Sequence, residues 1–180
     1  MFSAAILNGG QATRFGGRDK GALLVDGRTI VDRQLAELSQ VTTDILVVTR
    51  DIVPGCGPLG GLHTALTDAR GEAVFVVACD MPFIEAPLVR YLLDLTHEAD
   101  AAVPRTERGD HPLCAAYTRA CLPAIARRLA RRQLRMADLF ADVRTRVVTS
   151  EELDRFGDRN RLLANVNTQA EYAGIQTHKA

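Results

Sequence analysis

Three short apolar runs constrain what this chain can fold into. They are residues 2–7 (FSAAIL), 44–49 (DILVVT) and 73–78 (AVFVVA), and the apolar residues in them do not alternate with polar ones. A short continuous run of such residues is typical of a strand that is covered on both faces, as in a parallel sheet. We therefore expect a central sheet with helices packed on both of its faces.

Helical periodicity lies between these runs. Apolar residues recur with helical spacing after Thr29, after residues 57–61 (GPLGG) and after Pro87. Strand and helix thus alternate along the chain, which predicts an α/β fold with a mostly parallel sheet. The residues that carry the three helical patterns are Val31, Leu35 and Leu38; Leu62, Ala65, Leu66 and Ala69; and Leu88, Tyr91, Leu92 and Leu95.

The alternation of predicted strands and helices becomes less regular after residue 100. Residues 100–104 and 113–117 are predicted as strands on either side of a loop at 105–112. A helix with Leu122, Ile125 and Leu129 and a strand at 145–149 follow. Thr168 and Glu171 form a capping-box pattern that predicts the start of a last helix. Because 180 residues suit one domain and no linker is evident, we expect a single domain over residues 1–180.

The charge balance and the cysteines limit the class of protein. Lys plus Arg number 22 and Asp plus Glu number 22, so no overall field attracts nucleic acid or an anionic membrane. The N-terminal apolar stretch is too short for a secretory signal, and no apolar run approaches the roughly 20 residues of a membrane span. The cysteines lack C-x-x-C spacing, which favours buried, reduced thiols. We expect a cytoplasmic protein that binds neither nucleic acid nor membrane. The cysteines are Cys56, Cys79, Cys114 and Cys121.

A glycine-rich segment follows the first predicted strand. Residues 7–21 (LNGGQATRFGGRDKG) contain five glycines, two arginines and one lysine. A strand followed by glycines and a basic residue exposes backbone N–H groups to phosphate. The spacing fits neither the P-loop nor the G-x-G-x-x-G pattern. A flexible turn is the simpler interpretation, but Arg14 and Lys20 favour phosphate binding.

Two further segments lie where α/β proteins bind ligands, beyond the carboxyl ends of strands. Residues 55–61 (GCGPLGG) follow the second strand, and residues 79–82 (CDMP) end the third. Asp80 could cap the helix that follows. It could also hold Mg²⁺, which typically bridges one or two carboxylates to substrate phosphates. Together with the glycine loop and Lys20, Asp80 predicts a phosphate and metal site.

These segments, in this order, resemble the molybdenum cofactor guanylyltransferases, a family with a Rossmann-like nucleotidyltransferase fold. The resemblance extends to residues 111–117 (HPLCAAY) and 163–172 (LANVNTQAEY), so it covers nearly the whole chain. The paired glycines Gly9 and Gly10, together with GPLGG, favour the guanylyl branch over the cytidylyl branch. Asn8 stands where the family usually has Ala. The segment before Asp51 is shorter than is usual in the family, so the chain departs from the family pattern at this point.

The resemblance implies transfer of GMP from GTP to molybdopterin, with release of pyrophosphate and Mg²⁺ as the cofactor. It also implies transient contact with molybdoenzyme-maturation proteins. Arg14, Lys20 and Asp80 would be catalytic. Asp80 and Asn167 would hold the metal, with Asn165 as a second candidate. The residues implied in nucleotide binding are Leu7, Asn8, Gly9, Gly10, Lys20, Asp51 and Asp80.

Several alternatives remain open at this point. Cytidylyl transfer to the same cofactor, nucleotidyl transfer to a sugar phosphate, and nucleotide binding without catalysis would use similar segments. The presence of Lys20 and Asp80 together argues against the last of these. His63 and His97 are expected to be packing or surface residues, whereas His111 is a candidate contact near the cofactor pocket. Five arginines form a basic run that is interpreted as a solvated helix face or, alternatively, as a dock for the anionic pterin: 127, 128, 131, 132 and 135.

Overall fold

The computed structural model describes residues 1–9 and 20–166, and a mixed sheet lies at its centre. The predicted strands are present as β1 (Phe2–Leu7), β4 (Ile45–Val48), β5 (Ala73–Ala78), β6 (Ala101–Thr106), β8 (Cys114–Thr118) and β9 (Thr145–Val148). Within the described residues the strand order is β4–β1–β5–β8–β6–β7, where β7 is Gly109–Asp110, and β9 pairs with β6.

Most strands of this sheet run in one direction. β1 pairs parallel with β4 and with β5, and β6 pairs parallel with β9. β8 lies antiparallel between β5 and β6, so β6 has the same direction as β5. The prediction of a mostly parallel sheet is confirmed, and the reversed direction of β8 is a feature that the sequence reading did not anticipate.

Helices cover both faces of the sheet. The predicted helices are α1 (Ile30–Leu38), α2 (Gly57–Asp68), α3 (Ala86–Asp94) and α4 (Leu122–Ala130). Two short helices, α5 (Ser150–Leu153) and α6 (Arg159–Leu162), follow β9. 3₁₀ turns lie at Lys20–Ala22, Leu95–His97, Arg119–Cys121, Met136–Ala141 and Asp154–Phe156.

The strands alternate between two apolar cores because successive side chains point to opposite faces. Ala5 and Val76 pack in one core with residues of α2 and α4. Ala4 and Phe75 pack in the other with residues of α1 and α3. All four of these side chains are fully buried. Burial on both faces explains why the strand sequences are continuously apolar, and it confirms helices on both sides of the sheet.

Two local features differ from the sequence prediction. The segment 105–112, expected as a loop, continues β6 to Thr106 and turns back through β7, with Gly109 at φ 103°. A small hairpin of β2 (Leu24–Val25) and β3 (Arg28–Thr29) precedes α1 and was not predicted. Its turn residues Asp26 and Gly27 have φ of 53° and 79°, the left-handed pair that an Asp-Gly turn supplies.

The remaining expectations concern the last helix, the number of domains, the cysteines and membrane spans. The predicted helix start at Thr168 and Glu171 lies outside the described residues, and one domain over residues 1–180 stays a prediction. The four cysteines, all within the described ranges, form no disulfide, and Cys56, Cys114 and Cys121 are buried, whereas Cys79 is partly exposed. Among the helices that the structure describes, none has the length and apolar character of a membrane span.

Candidate active site

The order of the first three strands creates a crevice at one edge of the sheet. The chain passes from β1 to β4 on one side, and then returns past β1 to β5 on the other. The first connection places α1 on one face of the sheet, and the second places α2 on the opposite face. At such a reversal the loops after neighbouring strands run to opposite faces of the sheet and leave a crevice between them. Ligands of open α/β sheets bind in this crevice, beyond the carboxyl ends of the strands.

The glycine loop leaves the sheet at this crevice. The carbonyl of Leu7, the last residue of β1, accepts a hydrogen bond from the Cys79 amide at 3.1 Å. The amide of Asn8 donates to the Val48 carbonyl at 2.9 Å. The start of the loop is therefore fixed between the ends of β4 and β5, and the structure brings Leu7 and Asn8 to the edge as predicted.

The protein itself leaves enough space for a side chain at position 9, so packing does not explain why this residue is glycine. A Cβ on this residue would lie 3.5 Å from the carbonyl oxygen of Thr49, an ordinary contact distance. The absence of a side chain at Gly9 leaves the backbone open to close approach by a ligand. This is the property expected of a segment that binds phosphate through backbone amides.

Asp80 follows β5 at the same edge and is only 9% exposed. Its carbonyl accepts a hydrogen bond from the Val166 amide at 2.8 Å, so the end of the described chain lies beside it. The helix that follows has Glu85, not Asp80, at its N-cap position. The interpretation of Asp80 as a helix cap is therefore wrong for α3.

Gln34 supports the Asp80 segment and was missed in the sequence. Its side chain comes from α1, is fully buried, and donates from Nε2 to the carbonyls of Ala78 at 2.8 Å and Met81 at 2.9 Å. These two carbonyls flank Asp80 in the chain. The available signal was the position of Gln34, four residues after Ile30 and four before Leu38, on the buried face of the helix.

Asp51 lies in the loop between β4 and α2, residues 49–56. A Cβ at Gly60 would lie 3.0 Å from its Oδ2, and one at Gly61 would lie 3.6 Å from its Oδ1. The carboxylate thus rests on two side-chain-free positions of the first turns of α2. Burial raises its pKa above the usual value of 3.8. The short connection before Asp51 is continuous and still brings the residue to the carboxyl edge of β4.

Other predicted site residues lie outside the part of the chain that can be described. Gly10 and Arg14 fall within residues 10–19, and Asn167 follows the last described residue. The backbone of Lys20 begins the 3₁₀ turn Lys20–Ala22. Asn165 is exposed and precedes Val166, whose amide is bonded to the Asp80 carbonyl. The segment that leads to Asn167 therefore passes next to Asp80.

Two of the histidines are packing residues, and the role of His111 stays a prediction. His63 lies within α2, and the ring of His97 packs on Phe2 with the centroids 5.9 Å apart. His111 lies just before β8, where its Nε2 is 2.9 Å from Thr106 Oγ1. Burial, and then the nearby Arg108, lower the pKa of His111. Because β8 is reversed, its first residues share the edge with Asp80.

The arginine run is mostly an outer helix surface. Arg128 Nε lies 2.7 Å from an Asp142 oxygen, and Arg135 Nε lies 3.9 Å from an Asp138 oxygen. These pairs use the acidic residues that follow the run in the sequence. Arg135 is exposed, in accord with a solvated face, whereas the side chain of Arg128 is largely covered. Arg132 differs, because it reaches the loop before α2.

The donor set is suited to Mg²⁺ that is shared with a substrate. Across residues 1–9 and 20–166, no group of three or more His, Cys, Asp or Glu side chains could enclose a metal ion by itself. Mg²⁺ commonly uses one or two carboxylates and completes its ligands with water and substrate phosphates. The Asp80 carboxylate, a hard oxygen donor at the crevice, fits that kind of site.

The family comparison decides the class of enzyme. A family model described as the MobA-like NTP transferase domain matches residues 4–145. This chain belongs to that family. The match includes β1, α2, β5 and both carboxylates of the crevice, so the nucleotidyltransferase fold and its edge residues are covered together.

Individual relatives of this MobA-like transferase extend over nearly all of it. A probable molybdenum cofactor guanylyltransferase from Carboxydothermus hydrogenoformans is 30% identical, covering 94% of this chain and 92% of the relative. One from Pelotomaculum thermopropionicum is 32% identical, covering 94% and 89%. The crystal structure of molybdopterin-guanine dinucleotide biosynthesis protein A from Archaeoglobus fulgidus has a TM-score of 0.84 at 21% identity, covering 98% of this chain and 97% of that one. The chain is a nucleotidyltransferase.

Proposed function

We propose that this nucleotidyltransferase transfers GMP from GTP to the terminal phosphate of molybdopterin. The observation that carries the proposal is the convergence of Leu7–Gly9, Asp51 and Asp80 on one crevice at the strand reversal. The full-length relatives named molybdenum cofactor guanylyltransferase support the choice of base and acceptor. A cytoplasmic location and transient contact with molybdoenzyme-maturation proteins belong to the same proposal.

The proposed reaction needs no nucleophilic side chain. An oxygen of the molybdopterin phosphate attacks the α-phosphorus of GTP, and the bond from that phosphorus to the pyrophosphate oxygen breaks. Negative charge grows on the phosphorus oxygens and on the leaving pyrophosphate. Catalysis then consists of positioning and electrostatic stabilisation.

Each residue has a defined part in this scheme. The backbone amides of Gly9 and Gly10, with Arg14 and Lys20, would bind the phosphates. Mg²⁺, held by Asp80 and Asn167, would supply positive charge to the triphosphate. Asp51 would accept hydrogen bonds from the N1–H and N2 amine of guanine, and Leu7 and Asn8 would line the base pocket.

The test is a matrix of nucleotides and acceptors. The purified protein is incubated with Mg²⁺ and GTP, CTP or ATP, and with molybdopterin, a sugar phosphate or no acceptor. Pyrophosphate release and the nucleotidylated product are then measured. We expect product with GTP and molybdopterin only. Product with CTP ahead of GTP would assign the cytidylyl branch. Transfer to a sugar phosphate, but not to molybdopterin, would overturn the proposed acceptor.

A further inference from the structure

Arg132 occupies a backbone conformation that does not suit it. It lies directly after α4 at φ 57°, in the left-handed region where a Cβ is unfavourable and glycine is the usual residue. Its amide bonds the Leu129 carbonyl at 3.1 Å, and the next amide, of Gln133, bonds the Arg128 carbonyl at 2.9 Å. The backbone therefore makes a standard helix end that glycine would form with less strain.

The side chain of Arg132 makes contacts that glycine could not. Its Nη2 donates to the Gly55 carbonyl at 3.3 Å, and its Nη1 lies 3.4 Å from the Cys56 Sγ. Both groups belong to the loop 49–56, and Cys56 is the fully buried N-cap residue of α2. Arg132 thus joins the end of α4 to the start of α2 through the guanidinium group.

The loop that Arg132 holds also carries Asp51. The two ends of the loop meet at Gly60, where a Cβ would lie 3.0 Å from both the Asp51 Oδ2 and the Cys56 Cβ. On the Asp51 side, the Ile52 amide donates to Thr64 Oγ1 at 2.9 Å. On the Cys56 side, the Cys56 thiol donates to the Pro54 carbonyl at 3.7 Å, and the donors from outside the loop are those of Arg132. A shift of Cys56 would therefore change the space that the Asp51 carboxylate occupies over α2.

We propose that Arg132 is a positioning residue for Asp51. By fixing Gly55 and Cys56, it holds the Asp51 carboxylate over Gly60 and Gly61, where it can accept hydrogen bonds from the nucleotide base. Arg132 acts through the loop and touches no substrate. The proposal rests on the proposed function for the identity of the nucleotide.

The substitution Arg132→Gly separates this role from a role in stability. It removes the guanidinium contacts but relieves the left-handed strain, so the thermal midpoint should stay the same or rise. The Kd for GTP, measured by calorimetry with Mg²⁺, should increase about threefold to tenfold, as expected for the loss of one or two ordinary hydrogen bonds. Arg131→Ala, an equal loss of charge at the neighbouring exposed position, should leave the Kd unchanged.

Coupling to Asp51 gives the decisive comparison. In the Asp51→Ala background, Arg132→Gly should cause no further loss of affinity for GTP. An equal loss of affinity in both backgrounds overturns the proposal. An unchanged Kd for GTP in Arg132→Gly alone also overturns it.

Hydrogen exchange of the ligand-free protein gives a second readout. Amides of residues 51–57 should exchange faster in Arg132→Gly than in Arg131→Ala, and equal rates overturn the proposal. Wild-type protein that binds no GTP contradicts the proposed function instead, and the exchange measurement still decides the role of Arg132.

Discussion

The side-chain amide of Gln34 donates a hydrogen bond to the carbonyl of Met81 at 2.9 Å, across the boundary between α1 and the loop after β5. The same nitrogen donates to Ala78, so one buried amide joins both sides of the Asp80 segment. Because buried carbonyls need hydrogen-bond partners, the position of the edge carboxylate depends on a residue 44 to 47 positions earlier in the chain.

Replacing Gln34 with Leu should loosen the Asp80 segment. The new side chain has similar size but no donor, so the Met81 carbonyl would lose its Gln34 partner and the Ala78 carbonyl would keep only the Met81 amide. We expect the free energy of unfolding to fall by about 1–3 kcal/mol and turnover to fall with it. Denaturant unfolding and pyrophosphate release measure the two effects. Gln40→Leu, at an exposed position two residues after the same helix, should change stability by less than about 0.5 kcal/mol. Equal effects of the two substitutions would contradict the role of Gln34.

Asp80→Ala should abolish transfer and leave the fold intact. The carboxylate lies at the edge of the sheet and belongs to neither apolar core, and the proposed function assigns it to the metal and the substrate phosphates. We expect turnover to fall on the order of 100-fold or more, as for loss of a group that stabilises transition-state charge. Steady-state kinetics and circular dichroism measure activity and fold. Asp94→Ala, at the exposed end of α3, is the matched control, and undiminished turnover in Asp80→Ala would refute the assignment.

Affinity for nucleotides should follow the order GTP above CTP and ATP. In the proposed complex, guanine would present N1–H and the N2 amine to the partly buried Asp51 carboxylate, whereas cytosine presents a different pattern and would leave this polar group unpaired. Such a group typically costs about 1–3 kcal/mol, which corresponds to roughly tenfold discrimination. Calorimetry with Mg²⁺ compares the three nucleotides, and Asp51→Ala should reduce the preference. Equal affinities in the wild type would remove the basis for guanine selection.

Acid should destabilise the protein partly through Glu152. Although burial alone would raise its pKa, hydrogen bonds from Arg146, the Thr149 amide and Tyr91 bring it to about 2 from the usual 4.5. A depressed pKa contributes stability above the unfolded value, and this contribution is lost as the pH falls from about 4.5 towards 2. Unfolding midpoints of Glu152→Gln should therefore depend less steeply on pH in this range than those of the wild type. Glu85→Gln, at an exposed carboxylate, should retain the wild-type slope.

The buried strands could be predicted because burial on both faces leaves a continuous apolar run, as in β1 and β5. The direction of β8 could not be read from residues 113–117, because an apolar strand has the same composition in either direction. The short link from β6 to β8 carried the missing information. A parallel neighbour needs a long crossover, whereas a connection of a few residues returns the chain antiparallel.

Some residues at the candidate site could likewise be located from the sequence, and others could not. The position of Asp80 at the sheet edge could be predicted because it follows a strand by two residues, and the ends of parallel strands meet at one edge. Gln34 and Arg132 could not, because their partners are mostly backbone carbonyls, and those of Arg132 lie 76 and 77 positions away. Any residue type has such a carbonyl, so no complementary side chain in the sequence indicates the contact.

The reversed β8 distributes the crevice between two parts of the chain that can be altered separately. Leu7, Asp51 and Asp80 come from strands that end at this edge, whereas His111 and Leu113 come from the segment that enters β8, and the Ala78 amide bonds the Leu113 carbonyl at 3.0 Å. Changes within residues 106–113 therefore alter one wall of the crevice without entering the segments that carry the carboxylates. Substitutions in this segment can therefore be varied and combined while Leu7, Asp51 and Asp80 stay unchanged.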